Sequence, residues 1–261
     1  MNEIKITDQI GNNVNLKTYP NKIISLVPSI TELLFDLGLD EKVIGITPYC
    51  VHPKYKVQSV DKIKGPHKID LQKIRDLQPD IIFASKEENL KEEVEELMKH
   101  YPVYVSDVKN LHEAIEMINQ IGKITGTEIK SEEIGKNVLK QFNGLKKVLK
   151  SSKSACYLVW DEPMITVNKN TFIHDMMQFA GLRNVFANNT ERYPKINSSD
   201  IKNKKPEYII LSTEPFSFTN EHVAMFKSQY PFAKVLLLDG EKFAWYGSHL
   251  LKTPDYFKQL F

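Results

Sequence analysis

A pattern that occurs twice in this chain constrains its fold more than any other feature of the sequence. Residues 77–87 (LQPDIIFASKE) are matched by residues 204–214 (KKPEYIILSTE), and Pro79 and Pro206 are 206 − 79 = 127 residues apart. Each copy has a helix end, a proline, an acidic residue, a short apolar run and a Ser-x-Glu exit. That order is typical of a buried parallel strand leading into a loop. Such turns also recur by chance in α/β chains.

Two further echoes occur in the same order in both halves, so the sequence predicts two α/β halves of one plan. They are the glycine-closed helices predicted at 31–39 and 172–182, and the Tyr-Pro pairs at 101–102 and 230–231.

Alternating strands and helices predict a parallel sheet in each half. The predicted strands are 23–27, 43–46, 80–84 and 103–105 in the first half and 155–159, 208–211 and 235–238 in the second, preceded by a hairpin of 4–6 and 14–16. Open parallel sheets bind ligands outside the carboxyl ends of their strands. Two such lobes facing each other predict a ligand cleft between their exit loops.

A single helix is predicted to connect the two halves. Apolar residues at helical spacing form one stripe between Glu128 and Lys150, and lysines gather at its end, where the helix dipole favours them. A helix of this length is about 35 Å long. We therefore divide the chain into an N-terminal lobe at 1–127, a backbone helix at 128–150 and a C-terminal lobe at 151–261.

Charge and hydropathy exclude several classes of protein. Lys plus Arg total 35 against 33 for Asp plus Glu, a formal net charge of +2, which argues against a surface for nucleic acid. No apolar run reaches the roughly 18 residues of a membrane helix. We expect a monomer that is not membrane-integral.

The N-terminus and the cysteines bear on the compartment. Residues 1–8 (MNEIKITD) lack a basic region followed by an apolar one, and Cys50 and Cys156 are too few for a disulfide scaffold. We expect a cytoplasmic location for the chain as it stands. The periplasm or cell envelope is the alternative if a leader is missing from it.

The exit loops of the first half carry polar candidates. Ser29 and Glu32 have the spacing of a capping box, which is either a plain helix start or a site for an anion. Cys50 and His52 are both possible ligands for a transition metal, although two ligands alone are a weak signal. His67, in a Gly-Pro-His turn, is a lone imidazole.

The exit loops of the second half are aromatic. Trp160 and Trp245 are the tryptophans of the chain, and both lie in these loops, where they form either a stacking surface for a large planar ligand or part of the core. No nucleophile elbow, zinc-protease motif, phosphate loop or dinucleotide fingerprint occurs in the sequence. We therefore expect a protein that is not an enzyme.

Four segments resemble the substrate-binding proteins of vitamin B12, haem and ferric-siderophore ABC importers. They are residues 22–38 (KIISLVPSITELLFDLG), 43–47 (VIGIT), 70–74 (DLQKI) and 78–82 (QPDII). The resemblance extends from Ile4 to about Phe257. It implies two Rossmann-like lobes joined by one long backbone helix, a metal chelate as ligand with no covalent cofactor, and an ABC permease as partner.

The resemblance also implies which residues line the ligand. By position these are Tyr49, His52, Pro66, His67, Ser85, Lys86, Trp160, Tyr193, Glu214, Trp245, Tyr246 and His249.

This chain departs from the family pattern in two respects. Cobalamin-binding members have tryptophans where it has Pro66 or His67 and Ser85, so the first lobe lacks two stacking rings. Members also dock on the permease through one acidic residue per lobe, and the matching positions here are Gln72 and Ser199.

We expect a binding protein for a corrinoid, haem or ferric siderophore. The alternative is an intracellular protein that handles a metal ion or metallocofactor on the same scaffold, with Cys50 and His52 as metal ligands.

Overall fold

A computed structural model describes residues 3–63, 69–146 and 153–260, and within it the chain forms two compact units. Unit 1 comprises Met1–Val108, His112–Leu139 and Tyr246–His249, and unit 2 comprises Lys109–Leu111, Lys140–Trp245 and Leu250–Phe261. The predicted lobes supply most of each unit. No pattern in the sequence indicates that residues 246–249 belong with the N-terminal part of the chain.

Unit 1 is built on a parallel sheet. Its elements are β1 (Ile4–Thr7), β2 (Asn13–Leu16), β3 (Ile23–Ser25), α1 (Pro28–Asp36), β4 (Val43–Ile46), β5 (Asp61–Lys62), α2 (Leu71–Leu77), β6 (Ile81–Ser85), α3 (Lys91–Met98), β7 (Val103–Ser106) and α4 (Leu111–Thr125, whose first residue belongs to unit 2). The strand order is β5-β4-β3-β6-β7, with all neighbours parallel. Every residue of β6 and β7 is buried, as expected for strands covered on both faces. The antiparallel β1–β2 hairpin is confirmed.

Unit 2 has the same kind of core. Its elements are β8 (Lys153–Trp160), β9 (Ile165–Thr166), α6 (Phe172–Phe179), β10 (Leu182–Asn184), α7 (Ser198–Lys204), β11 (Tyr208–Ser212), α8 (Asn220–Gln229), β12 (Lys234–Leu238), α9 (Glu241–Ala244) and α10 (Thr253–Lys258). The order β10-β8-β11-β12 is parallel throughout, with β9 antiparallel to β8. The predicted α/β fold with parallel sheets is therefore confirmed.

The predicted backbone helix is present as α5 (Glu128–Lys146). Its residues as far as Leu139 belong to unit 1 and those from Lys140 to unit 2. The remainder of the predicted span, 147–150, lies outside the described residues. No helix in the described part of the chain is both long and apolar enough to span a membrane.

The internal repeat is a repeat of topology. The order β4-β3-β6-β7 in unit 1 corresponds to β10-β8-β11-β12 in unit 2. Helices α2 and α7 end at Gln78 and Lys205, which adopt left-handed conformations with φ of 49° and 42° immediately before the two prolines. The repeated pattern thus encodes the same helix-to-strand turn in both units.

The acidic residue of each copy also has the same function. Asp80 Oδ2 accepts hydrogen bonds from the backbone nitrogens of Asn21 and Lys22 at 2.7 and 2.9 Å. Glu207 Oε2 accepts from the backbone nitrogen and hydroxyl of Ser154 at 2.7 and 2.9 Å. Each carboxylate fixes the chain where the central strand of its sheet begins.

A pH-dependent stability follows from Glu207. Hydrogen bonds from the backbone and then the hydroxyl of Ser154 hold the pKa of Glu207 below its ordinary 4.5. A depressed pKa stabilises the fold above that ordinary value and loses its effect as the pH falls through the folded-state pKa. We expect Glu207→Gln to be less stable than the parent at neutral pH and the difference to shrink as the pH falls below the ordinary pKa of the carboxyl, measured by urea unfolding. A difference that is independent of pH would contradict this.

The start of α1 differs from the prediction. Its N-cap is Val27, whose side chain makes no capping bond, and Pro28 occupies the first turn, a position that suits proline. Ser29 is therefore inside the helix and 2% exposed. The capping box expected of Ser29 and Glu32 was wrong. The short strands β5, β9 and β10 were not predicted, because each is only two or three residues long.

Candidate functional site

The loop that follows β4 in unit 1, residues 47–53, carries the first candidates and is called here the β4 exit loop. Tyr49 is 64% exposed, His52 is half-buried and Cys50 is buried. The sulfur of Cys50 lies 3.1 Å from Thr31 Oγ1 on α1 and 3.3 Å from Thr47 Oγ1. The loop is thus anchored through its buried cysteine and presents a phenol and an imidazole outward.

Cys50 has the surroundings of a neutral thiol. Burial raises its pKa, and the hydrogen bonds from the two threonines lower it less. A metal ligand is a thiolate, so this environment does not favour Cys50 in that role. Within residues 3–63, 69–146 and 153–260, no group of three His, Cys, Asp or Glu side chains has the geometry to hold a metal ion. Coordination by Cys50 and His52 stays a prediction.

Two polar candidates lie at the end of β6. Ser85 is 1% exposed, and its hydroxyl accepts from the backbone nitrogen of Glu87 at 3.2 Å. Lys86 Nζ donates to Asp107 Oδ2 at 3.0 Å, with the lysine side chain 55% exposed and the aspartate 4%. Lys86 therefore offers its ammonium group at the surface, while Ser85 supports the turn beneath it.

Residues 246–249, called here the 246–249 segment, lie buried in unit 1. The Tyr246 hydroxyl is 3.1 Å from Ser106 Oγ at the end of β7. Burial, above all, raises the pKa of Tyr246 far beyond its ordinary value, so the phenol stays neutral. With exposures of 2% for both Tyr246 and His249, neither side chain presents a free surface to a ligand.

A buried ion-pairing contact joins this segment to α1. His249 Nδ1 is 2.7 Å from Glu32 Oε2, and both side chains are at most 4% exposed. Sequence reasoning treated Glu32 as a helix cap and His249 as a ligand contact. The only sequence signal for this pairing was Pro28. Proline suits the first turn of a helix, so α1 begins before Ser29 and Glu32 is a buried residue within it.

An aromatic surface occupies the carboxyl ends of β8 and β11 in unit 2. Trp160 is 39% exposed, and its ring lies 5.3 Å from that of Phe216 in an edge-on arrangement. Phe216 packs in turn against Phe218 and His222 at 4.7 and 5.5 Å. Sequence reasoning identified Trp160 and missed Phe216 and His222 as its supports.

The remaining candidates of unit 2 differ in exposure. Trp245 is 6% exposed and donates from Nε1 to Glu214 Oε2 at 2.9 Å, so these two residues brace each other. Tyr193 is half-buried in the segment between β10 and α7. Trp160 and Tyr193 are the candidates of this unit with accessible rings.

The structure thus separates the predicted contacts into two sets. Tyr49, His52, Lys86, Trp160, Tyr193 and Glu214 are exposed or half-buried, whereas Ser85, Trp245, Tyr246 and His249 are buried. Pro66 and His67 lie outside the described residues. Both sets occur at the carboxyl ends of parallel strands, the edge at which such sheets bind ligands.

Known proteins resemble this chain in both sequence and fold. The model of a family described as "Periplasmic binding protein" matches residues 23–233. A vitamin B12-binding protein of Vibrio parahaemolyticus is 26% identical over 199 residues, covering 75% of this chain and 72% of the relative. An uncharacterized ABC transporter substrate-binding lipoprotein of Bacillus subtilis, YvrC, is 28% identical over 197 residues, covering 72% of this chain and 62% of the relative.

Among solved structures, the periplasmic vitamin B12-binding protein BtuF of Vibrio cholerae superposes with a TM-score of 0.78 at 20% identity. The match covers 91% of this chain and 95% of BtuF. The chain therefore shares the fold of this binding protein. The chain belongs to the periplasmic binding protein family. Its relatives are binding proteins, and the expectation that it is not an enzyme is confirmed.

Proposed function

We propose that this chain binds a metal chelate, either a corrinoid, a haem or a ferric siderophore, as the substrate-binding component of an ABC importer. The observation that carries the proposal is the exposure of ring side chains at the carboxyl ends of parallel strands. Tyr49 and His52 provide them in unit 1, and Trp160 provides one in unit 2. The vitamin B12-binding relative and the resemblance of the sequence support the class of ligand.

Each unit carries its own chemistry at its strand ends. In unit 1 the accessible groups are a phenol, an imidazole and the ammonium of Lys86, which suit polar substituents and hydrogen-bond acceptors. In unit 2 the Trp160–Phe216 pair suits a flat conjugated face.

Titration with cobalamin, hemin and ferric chelates tests the proposal. At about 100 times the dissociation constant, a true ligand adds about 2.7 kcal/mol to the free energy of unfolding. We expect Tm to rise by roughly 5 to 10 °C and the visible spectrum of that chelate to change. If none of these chelates raises Tm or shows a changed visible spectrum, the proposal is contradicted.

A matched pair of variants ties the binding to the site. Trp160→Ala is expected to weaken binding about tenfold or more, because stacked aromatic contacts are a large part of such interfaces. Phe232→Ala removes a ring of similar exposure, 44% against 39%, in the connection between α8 and β12. Phe232→Ala should leave the affinity unchanged. Equal losses of affinity in both variants would show that Trp160 is not part of the site.

We further propose an ABC permease as partner and a location outside the cytoplasm. The description of the Bacillus subtilis relative as a substrate-binding lipoprotein supports both. Asp70 and Asp200, the nearest acids to the matched docking positions Gln72 and Ser199, are used as helix caps. Co-purification with the solubilised permease tests the partner. Fractionation of native cells tests the location.

A further inference from the structure

The second turn of α1 contacts two other parts of unit 1 through consecutive residues. Thr31 Oγ1 lies 3.1 Å from Cys50 Sγ in the β4 exit loop. Glu32 Oε2 lies 2.7 Å from Nδ1 of His249 in the 246–249 segment. One turn of α1 therefore contacts both the β4 exit loop, which presents Tyr49, and the 246–249 segment.

His249 extends this contact to the accessible imidazole. The rings of His249 and His52 are 6.1 Å apart between centroids, with an interplanar angle of 37°. His249 is itself 2% exposed, while His52 is half-buried. From the interior outward, the Glu32 carboxylate is thus followed by the buried imidazole of His249 and then by the half-buried imidazole of His52.

The 246–249 segment is shaped to lie directly on α1. Gly247 has a φ of +84°, and a Cβ built on it would meet Ser29 O at 3.2 Å and Leu33 Cβ at 3.4 Å. Glycine is favoured at this position by both its backbone conformation and the close approach. The Tyr246–Ser106 hydrogen bond holds the other side of the segment. The position of His249 is therefore fixed independently of the β4 exit loop.

We infer that Glu32 and His249 are positioning residues, which hold the His52 imidazole in the orientation that a ligand meets. This inference rests on the proposed function and deepens it, because it assigns a role in binding to two residues that the ligand does not touch. A side chain held in its bound orientation loses less entropy on binding. A site held loosely by its supporting residues binds correspondingly less well.

The test measures the orientation of His52 without a ligand and the affinity with one. The double variant E32M/H249L replaces the pair by apolar side chains and leaves no buried charge unpaired. The His52 ring resonances are identified among the seven histidines by their loss in His52→Asn. We expect these resonances to shift in E32M/H249L and the dissociation constant for the chelate that stabilises the parent to rise about 10- to 100-fold.

Two further variants separate positioning from general loss of packing. Glu32→Gln keeps an oxygen that can accept from His249 Nδ1 and leaves the His249 ring beside His52, so it should keep the His52 resonances and the dissociation constant near those of the parent. Thr125→Val removes another buried hydroxyl of unit 1, which bonds to Ile121 O at 2.8 Å, and should change neither. If E32M/H249L does not unfold cooperatively, Gly247→Ala moves the segment away from α1 and should shift the same resonances.

The outcomes distinguish this inference from the proposed function. Unchanged His52 resonances in a folded E32M/H249L or Gly247→Ala variant would overturn the inference, whether or not a chelate binds. Equal shifts in Thr125→Val would overturn it too. If no chelate binds the parent, the proposed function fails, and the ligand-free resonances still decide the role of Glu32 and His249.

Discussion

His249→Ala is expected to lower the free energy of unfolding by about 3 to 5 kcal/mol, because breaking a buried pair by removing one partner is strongly destabilising. The remaining partner, Glu32, is 3% exposed and has no access to bulk water. For a chain of this length the loss corresponds to a fall in Tm of roughly 6 to 20 °C. Urea unfolding followed by circular dichroism measures it.

Replacing both partners provides the control for this prediction. In E32M/H249L no charge is left buried, and an apolar pair of similar volume is often neutral or stabilising compared with a buried ion pair. The double variant should therefore be clearly more stable than His249→Ala. Equal stability of the two variants would show that packing of the imidazole, and not the charge of Glu32, dominates at this position.

Phe142→Ala is expected to cost about 3 to 5 kcal/mol by leaving a cavity in unit 2. The Phe142 ring is fully buried on α5 and packs edge-on against Phe179 of α6, with centroids 4.8 Å apart. Such a ring pair adds about 0.5 to 1.5 kcal/mol beyond the burial of apolar area. Thermal unfolding should show a fall in Tm of roughly 6 to 20 °C.

Leu139→Ala is the matched control, since Leu139 is on the same helix but is 44% exposed. Its truncation removes little buried area, and surface changes away from special features usually stay within about 0.5 kcal/mol. A similar loss in both variants would mean that burial of the Phe142 ring is not what makes α5 contribute to stability.

The candidate site was predictable in its location and less so in its roles. Exit loops follow from the order of strands and helices, and the family resemblance selected Tyr49, His52, Lys86 and Trp160 within them as candidates. Whether a ring in such a loop faces outward depends on the neighbours that cover it. Trp245 is 6% exposed beside Glu214, while Trp160 is 39% exposed, and no local pattern distinguishes them.

The pattern repeated at Pro79 and Pro206, together with the two further echoes, predicted two α/β halves from the sequence alone. This was possible because helix ends, proline stops and buried apolar runs are local in sequence. Only the tertiary structure decided that Glu32 meets His249, which is 217 residues away. Such a contact depends on how a helix is rotated and where a distant segment crosses it. With Pro28 in its first turn, α1 begins earlier than predicted, and Glu32 is a buried partner of His249 where a cap had been expected.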